Sequence, residues 1–535
     1  MCSLSNSEKT DINSVFKKIG AGLQNKKILL TTLDSPFLDN QYVFPYLGIL
    51  YLVSTAVEAG LSVKFIDRKE KLTPKMLAKY DVFYTDEFDI EGIDQYSGID
   101  VVGISCMTPQ GRQSYETCRA LKSKHPEIIV MLGGPHANFY LDECIKEDVD
   151  IIVTGDGERV FKELLIGDVE NLSGRLSPRS TDEQLIFHDS LSEAEMNSFS
   201  IPYREKKLID KYNYNLNGVK TTTLVNSRGC PMGCAFCEHS RTKGRWYCPE
   251  HFEKEIQNII DMGIEGLMIF DDLFAMSPTK IKPYTEILKR FHEKSSLIFR
   301  CFGHAKIMAR HPELLDLLSE SGCVEIGFGA ESASQEILDT IYKGTTVEQM
   351  HTFVENTVQR GIKVKAFFII GLPGETEQTF GKTYDFVDKY RSKYPDYFDF
   401  DLAVLFPYKG TLIGDISRLA EGKTIVFNKR TIDHTFFKIR PKEGLTWSEI
   451  DSGNYGAFKK KGGASDIVIE TYDWEKGEVL LLADRICELK EKIMALSGRY
   501  TDEKGHRIFT PTSEGNIGGI VTEVYVKEKE TVKLT

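Results

Sequence analysis

Ser227-Arg-Gly-Cys230-Pro-Met-Gly-Cys234-Ala-Phe236-Cys237 is the stretch on which the reading of this 535-residue chain turns. Three cysteines fall within eight residues, three residues separating the first pair and two the second. Thiolate is the soft ligand that both zinc and iron–sulfur clusters require. A structural zinc site would need a fourth ligand to close its tetrahedron. No fourth cysteine follows at ligand spacing, since Cys248 is eleven residues on; His239 with Cys248 would be the pair to complete a zinc knuckle. The other reading is a 4Fe–4S cluster held by Cys230, Cys234 and Cys237, with one iron left open.

Working outward, the chain is too long for a single core, and two or three domains are expected. The hydrophobic fraction of 41% and charged fraction of 27% are those of a globular enzyme. A formal charge of −12 argues against nucleic acid as a partner, because a polyanion needs a basic footprint. Eleven cysteines, three of them at metal spacing, do not make a secreted disulfide framework. Neither a signal-peptide pattern nor an apolar run of membrane-spanning length is seen, so a cytoplasmic protein with reduced thiols and no membrane span is expected.

Residues 1–25 read as a polar arm. From 26 to 165, short apolar runs alternate with helical patterns: strands at Lys27–Thr32, Leu61–Ile66, Val101–Cys106, Glu127–Leu132 and Ile151–Thr154, helices at Tyr46–Ala59 and Gln110–Ser123. That alternation predicts a parallel sheet covered on both faces, with ligands outside the carboxyl ends of the strands. Those ends carry Asp34-Ser35-Pro36, Met107-Thr108-Pro109, Gly133-Gly134-Pro135-His136 and Gly155-Asp156-Gly157-Glu158. Residues 166–219 are polar and aperiodic and read as a linker. From 220 to 410 the alternation returns with a longer period, giving six strands and five intervening helices. The cysteine loop follows the first of them. Asp271-Asp272, Arg300, Glu331-Ser332 and Gly371-Leu-Pro373-Gly-Glu375 stand at the ends of the next four. Parallel barrels place their chemistry at that rim.

The C-x3-C-x-aromatic-C spacing, with Phe236 before the last cysteine, resembles the radical S-adenosylmethionine (radical SAM) superfamily. Residues 26–165, through Pro45-x-Leu47-Gly48 and the Gly-Gly-Pro-His and Gly-Asp-Gly-Glu turns, resemble the cobalamin-binding domain found ahead of many radical SAM cores. The resemblance implies an α/β protein: a Rossmann-like cobalamin-binding-type domain, a partial (β/α)6 TIM-type radical SAM barrel, and a smaller C-terminal α+β region over 411–535. It implies a 4Fe–4S cluster that cleaves S-adenosylmethionine to a 5′-deoxyadenosyl radical, hydrogen abstraction from an unactivated carbon, and C-methylation of a small biosynthetic intermediate by a methyltransferase.

By the same resemblance Asp271 and Asp272 meet the methionyl ammonium, Arg300 the carboxylate, Glu331 and Ser332 the ribose, and Phe236, Gly371 and Pro373 the nucleoside. Ser35, Thr108, Gly133, Gly134, Pro135, His136, Gly155, Asp156, Gly157 and Glu158 line the cobalamin. The Asp-x-His-x-x-Gly motif that supplies a lower cobalt ligand is absent, so His136 is expected to contact the corrin or cap its turn. A small-molecule substrate and an electron donor such as flavodoxin or ferredoxin follow as partners. Other outcomes stay open: cyclisation, ring contraction or oxidation with both cofactors, a cobalamin-free dehydratase or epimerase, and a cluster and cobalamin sensor. In the last region a helix is expected at Glu478–Leu496, a Lys- and Gly-rich loop at Ala457–Gly463, and loose alternation from Phe509 onward.

Overall fold

A computed structural model describes residues 19, 22–33, 44–60, 63–67, 98–420, 425–427, 435–451, 467–472, 479–481 and 483–497. The chain divides into two compact units, residues 1–212 with a short segment at 451–454, and the remainder from 213.

In the first unit β1 (Ile28–Thr32), β2 (Val63–Asp67), β3 (Val101–Ser105), β4 (Ile129–Gly133), β5 (Ile151–Gly155) and β6 (Leu185–Asp189) form one sheet in the order β2-β1-β3-β4-β5-β6. Every pairing is parallel. A strand covered on both faces must be apolar along its length, and β1 and β3 are buried almost throughout. Helices Leu47–Glu58, Gly111–Lys124 and Glu158–Ile166 cover the sheet. The order reverses at β1 and β3, which makes the crevice outside their carboxyl ends the switch point. Gln110 closes that point, its amide donating to the Leu33 carbonyl while its oxygen accepts from the Met107 N–H at 2.8 Å.

The segment expected as a linker folds. β6 adds a sixth strand, and Asp189 at its end binds the guanidinium groups of Arg159 and Arg175. Leu185-Ile186-Phe187 is too short an apolar run to show a period amid polar flanks, so only the sheet edge reveals it.

The second unit is built on six parallel strands, β8 (Val219–Leu224), β11 (Gly266–Ile269), β12 (Ile298–Gly303), β13 (Cys323–Glu331), β14 (Lys363–Ile370) and β15 (Phe398–Val404). They run in the order β15-β14-β13-β12-β11-β8, with β7 (Asn215–Leu216) antiparallel at the edge, and form a curled half-barrel. Between β8 and β11 in chain order comes a separate tiny ribbon of β9 (Ser227–Arg228) and β10 (Arg245–Trp246). Alternate residues face outward under the helices: Cys301, Ile326, Phe328, Ala366, Phe368 and Phe400 are all essentially inaccessible. Phe386 of helix Glu377–Lys393 packs on Phe368 and Phe398, and Tyr390 of the same helix on Phe398, with ring centroids 5.5–6.3 Å apart. Burying each such ring contributes roughly 1.5–3 kcal/mol.

The C-terminal part forms an antiparallel sheet of β16 (Ile425–Phe427), β17 (Thr435–Pro441), β18 (Ile467–Tyr472) and β19 (Val479–Leu481). The expected helix runs Ala483–Met494, shorter at its start because Val479–Leu481 pairs as an edge strand. Ala457–Gly463, Phe509–Thr535 and most of the N-terminal arm lie outside the described residues. No helix among the described residues is long and apolar enough to cross a membrane.

Candidate active site

Strand β8 delivers the chain to the cysteine loop, and three sets of hydrogen bonds hold that loop in place. The Cys230 N–H donates to Thr242 Oγ1 at 2.8 Å, while Thr242 N–H and Arg241 N–H donate back to the Cys230 and Met232 carbonyls at 3.0 and 2.7 Å. Ala235, between Cys234 and Phe236, is clamped on both sides. Its N–H donates to the Ile341 carbonyl at 2.9 Å, and its carbonyl accepts from Ile413 N–H at 3.0 Å. Cys234 is buried, Cys230, Phe236 and Cys237 are half-buried, and all three thiols are free. Burial raises all three thiols, Cys237 up to about 12, so loading metal releases protons.

This donor set fits a cluster better than zinc. Among the described residues no three Cys, His, Asp or Glu side chains converge on a single metal-ion position. Zinc needs its ligands about 2.0–2.3 Å from one point, whereas a cubane distributes its thiolates over separate irons. His239 instead turns its Nδ1 to Asp272 at 3.5 Å, and Cys248 precedes the helix Pro249–Asp261 as its N-cap.

The two adjacent carboxylates at the end of β11 do different things. Asp271 is fully enclosed and accepts from Asn226 N–H at 2.6 Å and Ser227 Oγ at 2.7 Å, which braces the exit of β8 into the loop. Burial pushes its carboxyl up to about 7 against those two bonds. Asp272 is exposed on the loop side, accepts from Gly229 N–H at 2.9 Å, and lies within electrostatic range of Cys230 and Cys237. Of the pair, Asp272 is the one a ligand at the loop can reach.

Arg300 is not at a strand end. β12 continues to Gly303, which leaves Arg300 in the strand's first half with its Nη1 2.7 Å from Glu325 and 3.2 Å from Tyr214 Oη. His304 occupies the rim position instead. It is buried, its Nδ1 is 3.4 Å from Thr345 Oγ1, and burial with the nearby Lys343 and Lys306 charges pushes its pKa down to about 3. It is therefore neutral at physiological pH.

At the end of β13, Glu331 takes a left-handed backbone (φ 60°) and pairs with the Lys343 ammonium at 2.8 Å. Both are at most 9% exposed. Lys343 lies in the turn after Ile341, the residue that hydrogen-bonds the cysteine loop, and its charge reaches Cys234 and Cys237. Sequence reasoning missed Lys343 and His304. A Lys-Gly turn twelve residues beyond Glu331 was the available signal for the first, and the second had none. Ser332 is buried, its Oγ accepting from Ser334 N–H at 3.1 Å. After β14, Gly371-Leu372-Pro373-Gly374 is closed by Glu375, whose carboxylate accepts the Gly371 N–H. Burial raises Glu375 to about 8.

In the first unit the residues expected to line a cobalamin separate into supports and rim. Thr108, His136 and Glu158 are buried. His136 Nε2 lies 2.8 Å from Tyr115 Oη, and its ring stacks on Tyr140 with centroids 4.6 Å apart. That enclosure turns the imidazole away from solvent. Asp156 accepts from Leu191 N–H at 2.8 Å. Gly134 (φ 94°) and Gly155 (φ 80°) let the loops press on their neighbours: a Cβ on Gly155 would sit 1.8 Å from the Asp189 carbonyl oxygen. The groups open on the described rim are Met107, Pro135 and Gly155, with Gly133 and Gly157 half-open. Backbone, methionine and proline make most of this rim, with the half-exposed Asp156 between Gly155 and Gly157, and they offer no imidazole. Ser35 lies outside the described residues.

Comparison with known proteins agrees with this geometry. The Radical SAM superfamily model matches residues 225–387, and the B12 binding domain model matches residues 40–165. A methyltransferase of Pyrococcus horikoshii, named as uncharacterised, is 28% identical over 401 residues, 73% of this chain and 82% of its own. The bacteriochlorophyllide d C-12(1)-methyltransferase of Chlorobaculum tepidum is 25% identical, covering 62% of this chain and 69% of its own. The anaerobic magnesium-protoporphyrin IX monomethyl ester cyclase of Rubrivivax gelatinosus is 26% identical over 53% of each chain. In fold, the radical SAM methyltransferase TsrM of Kitasatospora setae superposes with a TM-score of 0.59 at 17% identity, over 92% of each chain. The two family models bring a 4Fe–4S cluster, S-adenosylmethionine and cobalamin as cofactors, and with them the need for a reductant. The chain thus carries a B12-binding domain followed by a radical SAM domain, and it is similar along most of its length to proteins named as methyltransferases.

Proposed function

We propose that this enzyme methylates an unactivated carbon of a small biosynthetic intermediate after hydrogen abstraction from that carbon. The observation that carries the reading is the single loop of three free, partly enclosed thiols at the first strand end of the half-barrel, beside the Lys343 ammonium. When bound, the reduced cluster supplies the electron that breaks a carbon–sulfur bond of S-adenosylmethionine, and methylcobalamin supplies a methyl group. The chain's own work is orientation and exclusion of water.

Cys230, Cys234 and Cys237 would hold the cluster through their thiolates, and the cluster would supply the site at which S-adenosylmethionine is reduced. Asp272 accepts the ammonium. Glu331 and Ser332 hold the ribose side, with Phe236, Gly371 and Pro373 beside the base. Gly133, Gly134, Pro135, Gly155 and Gly157 seat the corrin. The absence of an imidazole on the described rim favours a corrin without a histidine ligand from this domain. A flavodoxin or ferredoxin is the electron donor, in a reducing cytoplasm that keeps the thiols free.

Anaerobic reconstitution with excess S-adenosylmethionine, reductant and cobalamin tests the reading. Deoxyadenosine and S-adenosylhomocysteine are expected together once a true substrate is present. Lack of deoxyadenosine refutes the radical step. Deoxyadenosine without S-adenosylhomocysteine refutes methyl transfer and moves the enzyme toward the cyclase to which half of this chain is similar.

A further inference from the structure

The inner face of the half-barrel carries a charged constellation that the cofactor chemistry leaves unused. Register places it. Arg300 of β12 lies opposite Glu325 of β13, Gly327 opposite Lys365 of β14, and Lys365 opposite Asp399 of β15, with Asp401 two residues further. These residues share one face of the sheet, because the intervening Cys301, Ile326, Ala366 and Phe400 are the ones buried under the helices. The Lys365 ammonium bridges Asp399 at 2.5 Å and Asp401 at 3.1 Å.

Two features separate this constellation from a self-contained salt-bridge network. First, the charges are layered. The cationic side chains are 3% and 6% exposed, whereas the carboxylates of Glu325, Asp399 and Asp401 are 15–25% exposed. The carboxylates are thus the more exposed groups of this face and the cations the more enclosed. Second, the cation at the other side is incompletely used. Arg300 Nη1 meets Glu325 and Tyr214, but Nε and Nη2 are enclosed and have no hydrogen-bond partner among the described residues. Leaving buried donors unmade costs about 1–3 kcal/mol, more when the group is charged. Burial lowers the Arg300 pKa, and Glu325, Tyr214, Cys301 and Asp401 outweigh that, which sets Asp401 within electrostatic reach of the guanidinium.

We propose that this face binds a small zwitterion, its anionic group on the Nε and Nη2 donors of Arg300 and its ammonium on Asp399 and Asp401. A guanidinium edge with two free donors matches a carboxylate or phosphonate in bidentate fashion. An ammonium needs acceptors, and the exposed carboxylates provide them. The proposal rests on the proposed function and deepens it, since it assigns the chemical class of the substrate. It also moves Arg300 from the S-adenosylmethionine carboxylate to the substrate.

Ligand-observed NMR on the full chain, purified anaerobically with its cluster oxidised, tests this without turnover. The probes are β-alanine, γ-aminobutyrate and ε-aminocaproate, against caproate and hexylammonium as single-charge controls. One zwitterion of matching span is expected to bind tenfold or more tighter than either control, the equivalent of one charged hydrogen-bonded contact. R300K, which keeps the charge but loses the fork, and D401N are each expected to reduce it to the level of the controls. K365M, which removes the ammonium that bridges both carboxylates, is expected to tighten hexylammonium, so the idea stays testable if one variant fails to fold. Equal binding of the controls, no binding by any probe, or zwitterion binding unaffected by R300K and D401N overturns it. Binding is read independently of deoxyadenosine formation, so a failed radical reading and a failed pocket give different results.

Discussion

Lys343→Met offers the sharpest test of how the fold supports the cysteine loop. Lys343 and Glu331 form a 2.8 Å ion pair in which neither side chain is more than 9% exposed. Removing the ammonium leaves Glu331 charged, enclosed and held in a left-handed backbone. Breaking a buried pair from one side costs about 3–5 kcal/mol, because the remaining charge loses its solvation and its partner together. In a unit of this size each kcal/mol moves the midpoint by about 2 °C, so the half-barrel transition should fall by roughly 6–10 °C.

The double variant K343M/E331Q leaves no orphan charge and should recover most of that loss. A second effect runs in parallel. Lys343 lowers the Cys234 thiol pKa and Glu331 raises it, so K343M should load less iron near neutral pH and the double variant should load more than the single. Calorimetry of the anaerobic apoprotein measures the first effect, and iron and sulfide per chain after reconstitution the second. A single variant within about 1 kcal/mol of wild type, or a double variant no more stable than the single, would refute the reasoning.

The neighbouring carboxylates should part company. Asp271→Ala orphans the Asn226 N–H and should cost about 2–4 kcal/mol with a fall in cluster content, whereas Asp272→Ala should leave melting almost unchanged and weaken S-adenosylmethionine binding, both checked by calorimetry and titration. Glu375 has its folded-state pKa raised to about 8 from 4.5, so its contribution to stability is full below about pH 4.5 and is lost as pH rises through 8. Glu375→Gln should remove that decline, and parallel melts of the two proteins across this window that keep the same slope would exclude it. Gly155→Ala forces a Cβ against the Asp189 carbonyl and strains a φ of 80°, so the first unit should fail to retain a corrin spectrum through gel filtration. Cys234→Ala should abolish cluster content, measured as iron and sulfide.

Much of the architecture is legible in the linear order of residues. Six strands with intervening helices are recoverable from short apolar runs such as Ala366–Ile370, because the helix-covered face of each strand must be apolar. The cysteine loop is legible because its ligands are local: three thiols from one loop need only eight residues of spacing. The failures are equally physical. β6 carries three apolar residues and gains its identity from Asp189 meeting Arg159, thirty positions earlier. β12 overran its expected end because Cys301, Phe302 and Gly303 give no polar stop, and that overrun moved Arg300 from the rim into the lumen.

The sequence by itself therefore determined the class of cofactors, through the cysteine spacing, which is a short-range property of the chain. Tertiary structure alone decided how the charges divide. Asp271 against Asp272, Lys343 on Glu331 and the layered face of Arg300, Lys365 and Asp401 depend on which side chains burial strips of water. That is set by elements far apart in the chain. The three cysteines remain where the sequence put them, and the fold determines which groups surround them.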